Sequence, residues 1–423
     1  MQADLSKKDE QFREFSLNGP MCRVVLYVGF PLALYESLNQ LFKILDTMMA
    51  SHIGASAVSA VAYLSQINMM ISAVGTGLAV GASIKVSQAY GAGDFMLVKK
   101  RVSTMFAMCG ALGIAILLVL VPFTPEFLRL MNTPEEFIAD GSTYFRLELF
   151  GMVITFFNNV YIAIERARGN SKRILILNTA VIVVKLGLTA WFVYGLGGGI
   201  NMISCATIIS QSLLLLAACI NMNQKGNAFG FSLRAISIKK EVICPMLTLS
   251  FPVIVERIAF AVGKVIVNSM STVYGSWTVG ALGISNNIGG ITTNPQNGFQ
   301  EGGSSIISQN LGAGRPKRAL LAFRWVLYID ILIGLVIMTA SLLCLNQLAG
   351  LFAGDNAEFA EMIKQIYRFE AVGAIPLGVN AAVMALLYGF GKTRVTLVMN
   401  FCRVFLFLSL MHISEPTRPE PIS

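Results

Sequence analysis

Charge is scarce in this sequence: only 13% of its 423 residues are Asp, Glu, Lys or Arg, against about 25% in a soluble domain. A soluble chain of this length would divide into domains with polar surfaces, and no stretch supplies them. Histidine is nearly absent, with only His52 and His412, which excludes a histidine-rich metal site. The seven cysteines form no CxxC pair. Most lie inside apolar runs, so they read as buried thiols, not as a disulfide framework or a zinc site. No metal and no cofactor is expected. A Walker motif, a catalytic triad and paired catalytic carboxylates are all missing, so an enzyme is not expected either. The Gly75-Thr-Gly77-Leu-Ala-Val-Gly81 run loosely resembles a nucleotide loop. It lies within an apolar segment, where close helix packing is the better reading. The N-terminus carries Lys7, Lys8, Asp9, Glu10, Arg13 and Glu14 before a long apolar segment, which is unlike a cleaved signal peptide.

What is present is long apolar runs. Hydrophobic residues make up 55% of the chain and the mean hydropathy is +0.67. Runs such as 105–123 and 174–194 can each cross the roughly 30 Å hydrocarbon layer. Eleven helices are predicted, at 21–50, 57–86, 102–123, 143–165, 174–195, 200–221, 243–272, 279–307, 320–344, 366–389 and 394–412. The sequence therefore reads as an all-α polytopic protein of the cell membrane, with the lipid bilayer as its surroundings.

The net charge of +9 sits in alternate gaps. Lys99, Lys100 and Arg101 follow the second helix, and Arg166, Arg168, Lys172 and Arg173 follow the fourth. Lys225, Arg234, Lys239 and Lys240 follow the sixth, Arg315, Lys317, Arg318 and Arg324 the eighth, and Lys392 and Arg394 the tenth. The remaining gaps are neutral or acidic. By the positive-inside rule the N-terminus is cytoplasmic, and nucleic-acid binding is not expected.

The sequence also repeats itself. Phe30-Pro31, Lys43, Gly54, Ser87-Gln88 and Gly91-Ala92-Gly93 recur 221 residues on as Phe251-Pro252, Lys264, Gly275, Ser308-Gln309 and Gly312-Ala313-Gly314. Arg146, Glu148, Gly151, Asn158, Gly169 and Asn178 recur 222 residues on as Arg368, Glu370, Gly373, Asn380, Gly391 and Asn400. The offset spans an even number of helices. Two six-helix lobes related by a pseudo-two-fold axis along the membrane normal follow, as in transporters that rock two bundles about a central site. The lobes are expected at 1–222 and 243–411, joined by a cytoplasmic linker at 223–242. Residues 412–423 oppose an apolar stretch of the first lobe and resemble it in nothing. They read as a non-native tail, with helix 12 missing.

Several motifs resemble the MATE (multidrug and toxic compound extrusion) family across nearly the whole chain. Pro31 with Asp46-Thr47 and Ile53-Gly54 is similar to its first-helix pattern. Gln88-Ala-Tyr-Gly-Ala-Gly-Asp94 is similar to the loop after its second helix, and Gly312-Ala-Gly314 is its echo. Gly389-Phe-Gly-Lys-Thr-Arg394 is similar to the motif after its tenth. The resemblance implies twelve helices, alternating access, and export of organic cations or drugs in exchange for H+ or Na+.

A charge at mid-membrane costs about 2.5–3.5 kcal/mol on insertion scales, so it is expected to face a cavity or a partner. Glu36, Asn39, Gln40, Lys43 and Asp46 fall within about 120° of arc on the first helix. Glu256, Lys264 and Asn268 make a similar stripe in the second lobe, to which Asn380 belongs as the echo of Asn158. Asn178, Lys185 and Thr189 share one face, as do Gly151, Asn158 and Glu165. Asp46 is the first candidate for the coupling ion, because the resemblance gives its family position that role. A structural pair with Lys43 or Lys185 is the alternative. Glu36, Lys43, Lys185, Asn158, Asn178 and Thr189 complete the candidate set. The sequence departs from the family at Lys185 and Thr189, where many members carry Asn and Asp. Glu256 also lies one turn earlier than the usual glutamate, and Glu370 stands only at the outer end of the tenth helix. A lysine could hold Asp46 ionised in place of Na+, and Lys43, Lys185 and Lys264 together would suit either an anionic substrate or paired lysine–carboxylate networks.

Asn39, Gln40, Gln66, Met69, Met70, Phe156, Phe157, Tyr161, Asn287 and Asn294 are the candidate contacts for a small amphipathic organic cation. The polar run Ser285–Glu301, with Pro295 as a kink, cannot face lipid and is expected to line a cavity or an interface. The protein is expected to act as a monomer. A flippase for a lipid-linked sugar, an exporter of an anionic metabolite, a membrane enzyme and a channel are the rival readings.

Overall fold

The computed structural model describes residues 5–51, 55–131, 133, 135–223, 227–271, 275–353 and 356–406. Within these, the side chains of 43–51, 55–63, 66, 135–137, 139–140, 268–269, 271, 276–277 and 406 stand outside the description. The described chain is helical almost throughout. A short helix, α1 (Lys7–Asn18), comes first. The N-lobe follows as α2 (Met21–Ser51), α3 (Ala55–Ala92), α4 (Phe95–Leu120), the short α5 (Thr124–Leu130), α6 (Glu135–Ala167), α7 (Ser171–Ala190) and α8 (Ile200–Met222). The C-lobe comprises α9 (Lys240–Ser271), α10 (Ser276–Gly312), α11 (Pro316–Leu343), α12 (Leu345–Ala353), α13 (Ala357–Val372), α14 (Ala374–Gly389) and α15 (Thr393–Phe401).

Eight of the described helices are long and apolar enough to cross a membrane. The bent pair α13 and α14, which meet at 43°, would make a ninth. The sequence pattern predicts one helix at 366–389, but the structure starts it at Ala357 and breaks it at Gly373. Pro376 explains the break: it has no N–H to bond the Val372 carbonyl, and its ring crowds that turn. Large apolar side chains such as Ile114, Leu118, Leu335 and Val336 stand exposed on the outside of the bundle. In water that surface would be a liability, whereas against lipid it is the expected exterior.

The repeat is visible in the turns. Gly93 and Gly314 have φ of 81° and 72°, and Gly169 and Gly391 have 79° and 70°. Each ends a helix in the left-handed region that favours glycine. After Gly93, the Asp94 side chain caps α4 by accepting the Leu97 N–H at 2.9 Å. After Gly314, Pro316 opens α11, a position where its missing N–H costs nothing.

The two lobes meet chiefly where α2 packs on α10, α3 on α9 and α3 on α10. Close glycine contacts make the seam: Gly29 on Phe299, Gly298 on Ala33, Gly77 on Ile254 and Gly81 on Ser250. These lie toward the end of the bundle that carries α1. α10 is too polar to count as an apolar span, and it packs against α2, α3, α11, α13 and α14. The Ser285–Glu301 run is therefore screened from lipid on many sides, as its composition demands.

Candidate functional site

A cavity of about 470 Å³ opens between the lobes, lined by α2, α3, α9, α10, α14 and the segment after α15. Glu256 of α9 is the buried acid in its wall. Its Oε1 accepts from the Tyr388 hydroxyl at 2.8 Å and from Asn400 Nδ2 at 2.9 Å. Its Oε2 accepts from the Thr396 hydroxyl at 2.7 Å. Three donors on α14 and α15 thus satisfy a carboxylate that would otherwise be costly to bury. Thr396 can instead turn its single proton to the Thr393 carbonyl, 2.8 Å away. Sequence patterning had singled out Glu256 and Asn400 but not Tyr388 or Thr396. Their signal was spacing: Thr396 and Asn400 stand one helical turn apart.

Glu256, Lys264 and Asn380 line the same cavity, so three members of the expected C-lobe stripe come together. Arg257, Arg403 and Glu301 join them. The Phe260 ring lies between two cations, with Lys264 Nζ 5.2 Å and the Arg403 guanidinium 5.7 Å from its centroid. Glu301 pairs with Arg166 of the N-lobe at 2.7 Å.

Glu36 stands between this cavity and a second one of about 340 Å³, lined mostly by N-lobe residues, Asn39, Gln40, Lys185 and Gln211 among them, together with Asn294 of α10. Glu36 forms no hydrogen bond or ion pair among the described residues, while the charges of Glu301, Arg166 and Arg257 act on it. Gln40 joins the lobes. Its Nε2 donates to Asn287 Oδ1 at 3.3 Å, and its Oε1 accepts from Asn294 Nδ2 at 3.2 Å. Asn158 Nδ2 donates to the Gln211 Oε1 at 2.8 Å, which ties it to the wall of the second cavity.

Other expected residues lie elsewhere. Asn178 is buried and donates to the Ile174 carbonyl, and Thr189 is fully buried. Phe156 is buried against Gly75, and Tyr161 is buried with its hydroxyl accepting from Asn221. Phe157 lines a separate apolar groove with Phe106 and Phe231. Met69 lines the central cavity, whereas Met70, half-buried, lines none of the cavities described here. Glu165 sits at the α1 end with Arg168 at 3.1 Å and Arg173 at 3.6 Å, away from either cavity. The side chains of Asp46, Lys43, Gln66 and Asn268 lie outside the described residues.

The MatE family model matches residues 31–191 and again 252–411. The chain belongs to the MatE family. The two matches start 221 residues apart, the offset of the repeat. Relatives of this MatE chain include the probable multidrug resistance protein YoeA of Bacillus subtilis (strain 168). It is 25% identical over 334 residues, covering 77% of this chain and 72% of the relative. The multidrug export protein MepA of Staphylococcus aureus (strain NCTC 8325 / PS 47) is 22% identical over 413 residues, covering 96% and 90%. Among solved structures, MATE in complex with MaD3S superposes with a TM-score of 0.90 at 20% identity, covering 98% of this chain and 92% of that one. A MOP superfamily transporter from Pyrococcus furiosus, described as having a binding pocket of reverse polarity, superposes with a TM-score of 0.87 at 21% identity, covering 95% and 89%. These superpositions show the two-lobe fold of the MatE chain.

Proposed function

We propose that this MatE protein exports small organic molecules by alternating access, driven by exchange for H+ or Na+. The observation that carries the reading is the central cavity itself. It lies between two lobes that seal against each other at the α1 end, and it has a buried acid, Glu256, in its wall. Similarity to the multidrug export protein MepA and to the probable multidrug resistance protein YoeA supports the same assignment. With the cationic gaps, and so the α1 end, taken as cytoplasmic by the positive-inside rule, the sealed end would face the cytoplasm and the cavity would load or release on the far side. Glu36 and Glu256 are the described groups best placed to exchange a coupling ion, and Asp46 joins them on its motif. The working unit is taken as a monomer.

A second reading concerns the charge of the substrate. Phe260 is the aromatic surface that would attract an organic cation, yet Lys264 and Arg403 already lie over its ring. With Arg257 also in the wall, beside Glu36, Glu256 and Glu301, a zwitterionic substrate, or an anionic one where the acids bind the coupling ion, fits this cavity.

The test is transport by purified protein in proteoliposomes. One fluorescent organic cation and one fluorescent organic anion would be followed under an imposed pH gradient, then a Na+ gradient, for wild type and Glu256→Gln. Gradient-driven movement of either probe, lost in the variant, supports the reading and names the ion. Movement of neither probe by folded protein overturns export of such molecules.

A further inference from the structure

The C-lobe holds a second buried acid that plays no part in the cavity. Asp330 lies in α11 amid an apolar run and is fully buried. Neither of its carboxyl oxygens has a hydrogen-bond partner among the described residues. Gln296 of α10 reaches into the same place. Its Nε2 donates to the backbone carbonyls of Asp330 and Ala374, both at 3.0 Å, which fixes the amide and leaves its Oε1 buried without a donor. Two glycines make room for that amide: a Cβ at Gly378 would sit 2.6 Å from Nε2, and one at Gly334 3.0 Å from it. Both Asp330 carboxyl oxygens and the Gln296 Oε1 are thus buried without a donor among the described residues, and the Gln296 amide ties α10 to the α11 backbone at Asp330 itself.

The surroundings provide no counter-charge. The elements packed on α11 are α10, α14, α2, α12 and α13. Glu301 on α10 is held by Arg166, Tyr388 on α14 by Glu256, and Glu370 on α13 by Ser285. Glu36 on α2 faces the cavities, Tyr367 on α13 bonds Ser341, and α12 carries no ionisable group. Among the described residues, no charged group acts on Asp330. An ionised carboxylate in such a place is prohibitively costly, whereas a carboxylic acid brings the one O–H that the site lacks.

The twin lobe shows that the fold does not require this polarity. The residues 221 or 222 positions earlier are Gly75 for Gln296, Phe156 for Gly378 and Cys109 for Asp330. In the N-lobe the Phe156 ring fills the space left by Gly75, and Cys109 is fully buried. The same place is therefore filled by apolar groups in one lobe, with the large and small partners exchanged, and by an acid and an amide in the other.

We infer that Asp330 and Gln296 form a proton-binding site inside the C-lobe, loaded in the conformation seen here and able to discharge its proton during the cycle. The inference rests on the alternating-access reading only for the discharge step. The loaded state stands without it.

The test is infrared difference spectroscopy of the purified, full chain in lipid, which reads protonated carboxyl groups directly. Wild type is compared with Asp330→Asn and with Asp330→Cys, which copies the N-lobe. A protonated-acid band is expected at neutral pH. It should be absent in both variants and should diminish when the pH is raised in the presence of a transported probe. In proteoliposomes, both variants should melt like wild type yet lose about tenfold or more of pH-gradient-driven transport. If the band is missing from wild type at neutral pH, no proton is bound and the inference fails. If the band is present but never changes, or Asp330→Asn keeps full pH-driven transport, the acid is a fixed structural group and the inference also fails. Should wild type transport no probe at all, the export reading fails alone, because the pH titration of the band still decides whether the site exchanges its proton.

Discussion

Gly91 of α3 packs directly on the backbone carbonyl of Gln309 in α10, where even a methyl group would overlap the oxygen. Its echo, Gly312, makes the same contact with the Gln88 carbonyl. The motif that repeats most clearly in the sequence is thus a pair of interlocking contacts across the lobe seam. Gly91→Val should hold the α1 end apart, because backbone cannot yield as a flexible side chain does. A cost of about 1–3 kcal/mol to the closed state is expected from overpacking. Hydrogen exchange would report it as lost protection at 85–92 and 306–314, with the rest of each lobe unchanged. Unchanged exchange there would show that closure does not depend on this contact.

The Arg166–Glu301 pair joins the lobes at 2.7 Å with side chains only 10% and 22% exposed. Removing one partner strands the other. Glu301→Gln should therefore destabilise the closed arrangement by about 3 kcal/mol. The exchanged pair Arg166→Glu with Glu301→Arg should recover part of that loss. Thermal melting of the two single variants and the double variant in detergent gives the coupling energy. An additive double variant would mean that the pair contributes nothing across the seam.

The lobes were legible because apolar runs and loop charge are local signals, and the 221–222 repeat is carried in part by residues at the seam, such as Gly91 and Gly312. α1 was not legible: it is short and charged, so hydropathy passes over it, and what holds it are carbonyls and side chains about 80 and 300 residues away. Asp330 was also missed, since one acid in Trp325–Gly334 hardly changes an apolar average. It was nevertheless readable as a lone charge at mid-span, the pattern that marks function in membranes. Phe156 and Tyr161 show the opposite failure. Their residue type suits a substrate surface, and only packing reveals that both are enclosed.

Glu256 separates coupling from stability. Tyr388 and Asn400 donate to one of its oxygens and Thr396 to the other. Glu256→Gln can keep the shape: Tyr388 and Asn400 still find an amide oxygen, and Thr396 can turn its proton to the Thr393 carbonyl and accept from the new NH2. A stability loss below about 1 kcal/mol is expected. Glu256→Ala leaves three donors facing a void, and about 3 kcal/mol should be lost. If Glu256 exchanges the coupling ion, both variants lose gradient-driven transport although only one loses stability. Full transport by Glu256→Gln would restrict this acid to a structural role.

α1 binds both lobes at the sealed end. On the N-lobe side, Arg13 donates to the Tyr90 carbonyl at 3.0 Å and to the Gly91 carbonyl at 2.9 Å. On the C-lobe side, Arg318 donates to the Ser16 carbonyl at 3.2 Å and to the Gly19 carbonyl at 2.6 Å. Ser16 donates to Gln309 at 2.8 Å. Opening that end requires α1 to leave one lobe. Arg13→Ala and Arg318→Ala should each favour opening, by about 2 kcal/mol for two charge-assisted bonds lost. The double variant should do little more than either alone, because a strap loosened at one end holds the other less firmly, although Tyr90 and Arg168 still reach Asp9 and Arg315 still reaches Leu17. Protection of 85–92 against hydrogen exchange measures opening in all three. Simple additivity of the two substitutions would show that α1 rests on each lobe separately and does not tie them together.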